Sequence, residues 1–146
     1  MKRLCPSTVV LIVAVALISC LATLAMRPAV AAEKAKERLF EMRTYIANDG
    51  KLDALHARFR DHTNKLFVKH GIDLVGYWTP TEGDEAKNTL VYILAYPDRA
   101  SRDKSWDAFK NDPDWKKAYA DSHKDGVIVK KVISQFLAPT DYSPIK

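Results

Sequence analysis

Cysteine is almost missing from this chain of 146 residues: it has Cys5 and Cys20, and both stand within the first thirty-one positions. Once those positions are removed no thiol remains, which excludes disulfides, thiolate nucleophiles and cysteine-ligated metals. Glycine is scarce too, with five residues and no two adjacent, so no phosphate-cradling loop can be drawn. There is no G-x-S-x-G elbow for a serine nucleophile. The four histidines are spaced by 6, 8 and 53 residues and match no recurrent metal-ligand pattern, so no metal site is expected. An excess of one charge is also lacking. Without Lys2, Arg3 and Arg27 the chain has 20 basic against 18 acidic residues, a net +2 that offers nucleic acid no basic face.

What is present begins with a leader. Lys2 and Arg3 precede an uncharged run of 19 residues from Thr8 to Met26, followed by Arg27, Pro28 and the small triplet Ala29-Val30-Ala31. A positive start, an apolar middle and an A-x-A site form a secretory signal, with cleavage expected after Ala31 and a periplasmic or secreted product. Two other readings stay open: an uncleaved membrane anchor, or a lipidated Cys20 in the lipobox-like Leu17-Ile18-Ser19-Cys20. Membrane contact is expected through this leader alone. Residues 32–38 are small and charged and read as a flexible lead-in, residues 39–138 as one folded domain, and residues 139–146 as an irregular tail.

The domain is organised around Asn88 to Tyr96, an uncharged β-branched and aromatic stretch that predicts a strand buried on both faces. Further strands are predicted at Leu39 to Ala47, Ile72 to Thr79 and Val127 to Leu137. In the first of these Glu41, Arg43 and Tyr45 share one side, so two charges would be enclosed if that side is covered, and should pair. Asn48-Asp49-Gly50 predicts a turn, with Asp49 capping a helix from near Lys51 whose apolar face runs Leu52, Leu55, Phe59, His62 and Leu66 and which stops at Gly71. A second helix starts at the Asp98 cap with Trp106 and Phe109 inward. A third starts at Asp112-Pro113 with Trp115, Ala118, Tyr119 and Ser122 inward. The order βαββαβ is the ferredoxin-like plan, an α+β fold with a four-stranded antiparallel sheet and helices on one face. Apolar residues on both sides of the central strand leave an open face that a second copy of the chain is expected to cover, giving a homodimer.

The chain from about Leu39 to Pro144 also resembles the NIPSNAP family. The matching pieces, in order, are Phe40-Glu41-Met42-Arg43-Thr44-Tyr45, Lys69-His70-Gly71, Gly76-Tyr77-Trp78, Val91-Tyr92, Ser105-Trp106 with Phe109, Asp112-Pro113-Asp114-Trp115 and Pro139-Thr140-Asp141-Tyr142-Ser143-Pro144. The resemblance implies a dimeric α+β barrel, a fold shared with small cofactor-free monooxygenases and some haem enzymes. It implies no single reaction.

Candidate site residues follow from chemistry and placement. His62 is a titratable group on an otherwise apolar helix face, readable as a general base or as a core histidine. Glu41 and Arg43 read either as a ligand-binding pair or as a structural bridge. Tyr45, Tyr77, Trp78, Tyr92 and Trp106 read as the lining of an aromatic pocket or as packing. His56, His70 and His123 are expected at the surface or at helix ends, and Trp115 and Tyr119 in the core. No cofactor is expected; haem on His62 is kept as a minor reading. Three functions stay open: an exported dimer binding a small apolar or aromatic molecule between helices and sheet, a cofactor-independent oxygenase or isomerase of a small aromatic substrate with His62 as base, and an envelope protein-interaction module.

Overall fold

A computed structural model of the chain describes residues 38–146; the leader and all but the last residue of the lead-in lie outside the described residues. The four strands are β1 (Leu39–Ala47), β2 (Asp73–Trp78), β3 (Thr89–Tyr96) and β4 (Val129–Leu137), in the antiparallel order β2-β3-β1-β4. With its helices this is the ferredoxin-like α+β fold expected from the element order. The most apolar strand is central, as its composition requires: Leu90, Tyr92, Leu94 and Tyr96 on one face of β3 are all at most 2% exposed.

That face is covered by helices. The first helical stretch has three parts: α1 (Leu52–Arg58), a π-helical turn (Phe59–Thr63) and α2 (Asn64–Lys69). It buries Leu55, Phe59, Leu66 and Phe67 against β3, while α3 (Arg99–Asn111) adds Trp106 and Phe109. Burying each such side chain contributes about 1.5–3 kcal/mol, so these six and the four from β3 form the main body of the core.

The helix ends show where local sequence decides. Asp98 caps α3 by accepting from Ser101 N at 2.8 Å. Asp112 caps α4 (Pro113–Ser122) by accepting from Asp114 N at 2.8 Å, with Pro113 in the first turn. Gly71 closes α2 at φ 72°, a left-handed conformation that glycine adopts without steric cost. The expected cap at Asp49 is not made. Lys51 occupies the N-cap position of α1, and no side chain accepts a hydrogen bond there. The turn is tied to the start of β4 instead, through Asn48 Nδ2 to Val127 O at 2.7 Å and Lys51 Nζ to Asp125 O at 2.9 Å.

Among the described residues no helix covers the opposite face of the sheet. Strand pairing sets Trp78, Val91, Thr44 and Ile133 in one row across it, and Gly76, Ile93, Met42 and Gln135 in the next. The chain after β4 folds back over one end, where Phe40, Val75 and Ile93 meet Pro139 and Ile145.

Candidate functional site

Because β1 alternates, Glu41, Arg43 and Tyr45 all point into the layer between sheet and helices. Glu41 is fully buried. Its carboxylate accepts from Arg102 Nε and Nη2 at 2.8 and 2.9 Å, from Arg43 Nη1 at 2.5 Å, from Ser134 Oγ at 2.7 Å and from the Tyr96 hydroxyl at 3.3 Å. Burial alone would raise the Glu41 carboxyl, but the hydrogen bonds from Arg102, Ser134 and Arg43 prevail and hold it at about 2. Arg43 stacks 4.4 Å from the Trp106 ring centroid and donates through Nε to the Tyr92 hydroxyl at 3.0 Å. Trp106 Nε1 donates to the Tyr96 hydroxyl at 2.8 Å. The enclosed Glu41 and Arg43 do pair, as their burial demands, and Arg102 makes the pair a triad. Both carboxylate oxygens of Glu41 are engaged within this assembly.

Next to it the aromatic residues meet. Phe59 packs edge-on against Tyr45, Tyr77 and Tyr92, with centroids 5.8, 5.8 and 5.1 Å away. Burial pushes the Tyr92 hydroxyl well above its ordinary value; neighbouring Tyr45 adds to this and Arg43 opposes it. Tyr45, Tyr77 and Tyr92 therefore do come together. Trp78 starts from the other face of β2, with its indole over Gly76, where a Cβ would sit 2.6 Å away, yet on this edge strand it also borders the cleft that Tyr77 lines.

His62 is also placed differently from its expected position. The π turn adds a residue to the helical repeat, so Thr63 rather than His62 points inward, at 2% exposure. His62 is exposed and borders an outer groove between the helices with Asp61, Lys65 and Lys117. Among the described residues no cluster of three or more His, Cys, Asp or Glu side chains is arranged to hold a metal.

Two clefts do open between helices and sheet, one on each side of the Phe59 cluster. The first, about 340 Å³, runs along β2 and its lining includes His56, Phe59, Asn64, Tyr77, Trp78 and Leu90. The second, about 270 Å³, lies between β1, β4, α1 and α4 and is lined by Tyr45, Arg58, Trp115, Tyr119, His123 and Val132, with Lys130 and Lys131 on its rim. His123 Nδ1 lies 2.7 Å from the Tyr119 carbonyl, which can only accept, so that nitrogen donates to it. Tyr119, expected in the core, is 49% exposed at the mouth of this cleft.

Three buried side-chain polar atoms among the described residues lack a hydrogen-bond partner: Arg58 Nε, Asn64 Oδ1 and the Tyr77 hydroxyl. All three belong to residues lining these two clefts. Arg58 and Asn64 directly flank the π turn, whose inward Thr63 hydroxyl donates to the Arg58 carbonyl at 3.2 Å. Sequence reasoning passed over both. The available signal was Arg58 itself, three residues after Leu55 and next to Phe59, at the edge of the apolar stripe.

Comparison with known proteins agrees with the fold. A model of the NIPSNAP family matches residues 40–144. Among solved structures, the chain is similar to a NIPSNAP family protein of unknown function from Agrobacterium tumefaciens, with 23% identity, a TM-score of 0.66, and coverage of 77% of this chain and 96% of that one. It is similar to an uncharacterised NIPSNAP domain protein from Burkholderia xenovorans, with 26% identity, a TM-score of 0.62, and coverage of 73% and 98%. SnoaB, a cofactor-independent oxygenase from Streptomyces nogalater, matches with 12% identity, a TM-score of 0.51 and coverage of 74% and 98%, a likeness of fold alone. No curated protein matches in sequence.

Proposed function

Because this chain belongs to the NIPSNAP family, which carries no single reaction, we propose a function read from its own clefts: it binds a small apolar or aromatic molecule between helices and sheet. The observation that carries this is the coincidence of all three unpartnered buried polar atoms with the two clefts. An unmet buried donor or acceptor costs about 1–3 kcal/mol, and three of them in the walls of two adjoining clefts are best explained by a ligand that satisfies them. Tyr45, Tyr77, Phe59 and Trp115 supply flat apolar walls. A π turn at the junction fits the same reading, since such turns often mark functional sites. The catalytic alternative loses support because His62, its proposed base, stands outside both clefts.

The protein works in this proposal as an exported homodimer joined through the helix-free sheet face, after cleavage behind Ala31, and needs no prosthetic group. Native mass spectrometry on protein expressed from the full-length sequence in an exporting host tests these points together. The expected result is a dimer beginning at Ala32, with retained small-molecule mass or a mass shift on adding small aromatic compounds. Failure of a broad set of small aromatics to bind, shown also by unchanged tyrosine and tryptophan side-chain NMR signals, would remove the binding function.

A further inference from the structure

We infer that the cleft beneath Trp115 and Tyr119 recognises the carboxylate of a small aromatic acid, with Arg58 as its anchor. This rests on the reading of the helix-to-sheet clefts as ligand sites and gives one of them a chemical class.

Arg58 is 4% exposed, yet among the described residues no carboxylate lies within salt-bridge distance of it. The comparison within the same layer is direct: Arg43 and Arg102, the other two arginines enclosed there, both hold Glu41. A buried cation without a counter-charge is costly, and protein interiors seldom keep one unless an anion arrives. The guanidinium has five N–H donors. One is used, weakly, from Nη1 to Ser122 Oγ at 3.3 Å. Nε is buried and unpaired, and Nη2 has no partner among the described residues. Nε and Nη2 form the side-on edge of the fork, the edge that takes the two oxygens of a carboxylate in parallel hydrogen bonds.

The surroundings select the rest of the ligand. The guanidinium carbon lies 5.5 Å from the Trp115 ring centroid and 5.6 Å from that of Tyr119, within cation–π reach of both rings. Tyr45 closes the inner wall. No Asp or Glu lines the cleft, while Lys130 and Lys131 stand at its rim, so the local field favours an anion. At about 270 Å³ the space is just below the usual ligand range of roughly 300–1,000 Å³, which suits a single ring.

Trp115 in the cleft wall provides the readout. Protein expressed from the full-length sequence is titrated with benzoate and phenylacetate, and in parallel with benzamide and benzyl alcohol, following tryptophan fluorescence. Trp115→Phe identifies the responding residue. The expected result is saturable binding of the acids and binding of the amide roughly tenfold to a hundredfold weaker. Arg58→Met should bring acid and amide to equal affinity, and Arg58→Lys should restore part of the preference. Equal binding of benzoate and benzamide to the unaltered protein would overturn the carboxylate anchor while leaving the cleft as a ligand site. Binding of neither, with no response at Trp115, would overturn the cleft reading and the anchor together. Displacement of benzoate by inorganic phosphate at matching affinity would replace the aromatic acid with a bare anion site. The acid and amide comparison needs no variant, so misfolding of Arg58→Met leaves the test intact.

Discussion

Glu41 is the acceptor on which Arg43 and Arg102 both depend, and its removal shows what a buried triad is worth. Glu41→Gln keeps the shape but leaves Arg43 without its counter-charge and Arg102 with Asp103 alone, so the expected loss is roughly 3–5 kcal/mol, read from urea denaturation. Ser134→Ala, which removes a single donor to the same carboxylate, should cost nearer 1 kcal/mol. The same residue sets an acid limit. The Glu41 carboxyl sits at about 2 in the folded protein against an ordinary 4.5. Protons therefore bind the unfolded chain first as pH falls. Its stabilisation, about 3 kcal/mol, is fully present above pH ~4.5 and is lost as the pH drops towards 2. Thermal melts between those limits should fall less steeply for Glu41→Gln than for the parent. Parallel slopes would mean that other carboxyls carry the acid transition. Arg58, in the same layer, is the converse case of a buried charge with no carboxylate partner among the described residues.

At the scale of elements, strands and caps were legible because each rests on local chemistry. Uncharged β-branched residues marked β3, alternation marked β1, and Asp98, Asp112-Pro113 and Gly71 marked helix ends through side-chain acceptors, a fixed φ and a left-handed stop. The π turn was not legible. Nothing in Phe59-Arg60-Asp61-His62-Thr63 forces an extra residue into a helical repeat; packing of Leu55 and Phe59 above it and Leu66 and Phe67 below it does so. That one insertion turned His62 outward and Thr63 inward, and it set Arg58 and Asn64 at the two clefts. Tyr77 and Trp78 stand on opposite faces of β2, as consecutive strand residues must, and both still border the first cleft because β2 is an edge strand. The turn is testable through its internal bond. Thr63→Val removes the donor to the Arg58 carbonyl at nearly constant volume, with an expected cost of about 1 kcal/mol. Amide exchange over residues 58–64 should accelerate relative to β3, and affinity for benzoate should fall with it. Unchanged exchange would show that core packing alone holds the π turn.

For the whole molecule, the unresolved demand is the helix-free face of the sheet. The tail covers the end around Phe40, but no other described residue covers the row Trp78, Val91, Thr44 and Ile133, in which Trp78 is 52% and Ile133 37% exposed. A row of this composition on a central sheet is characteristic of an interface between copies. Val91→Lys sets a charge in the middle of that row without touching the helix side, where Tyr92 and Leu90 point. If two sheets meet there, both copies carry the lysine into the same apolar contact, and sedimentation should change from dimer to monomer. The thermal midpoint of the parent should rise with protein concentration, and that of the variant should not. A parent that sediments as a monomer would remove the dimer altogether. A variant that stays dimeric would move the interface to the edge of β4, where Val132, Phe136 and Leu137 are 38–42% exposed. In that case the second copy would stand beside Lys131 and Val132, at the rim of the Arg58 cleft, and ligand affinity would itself depend on protein concentration.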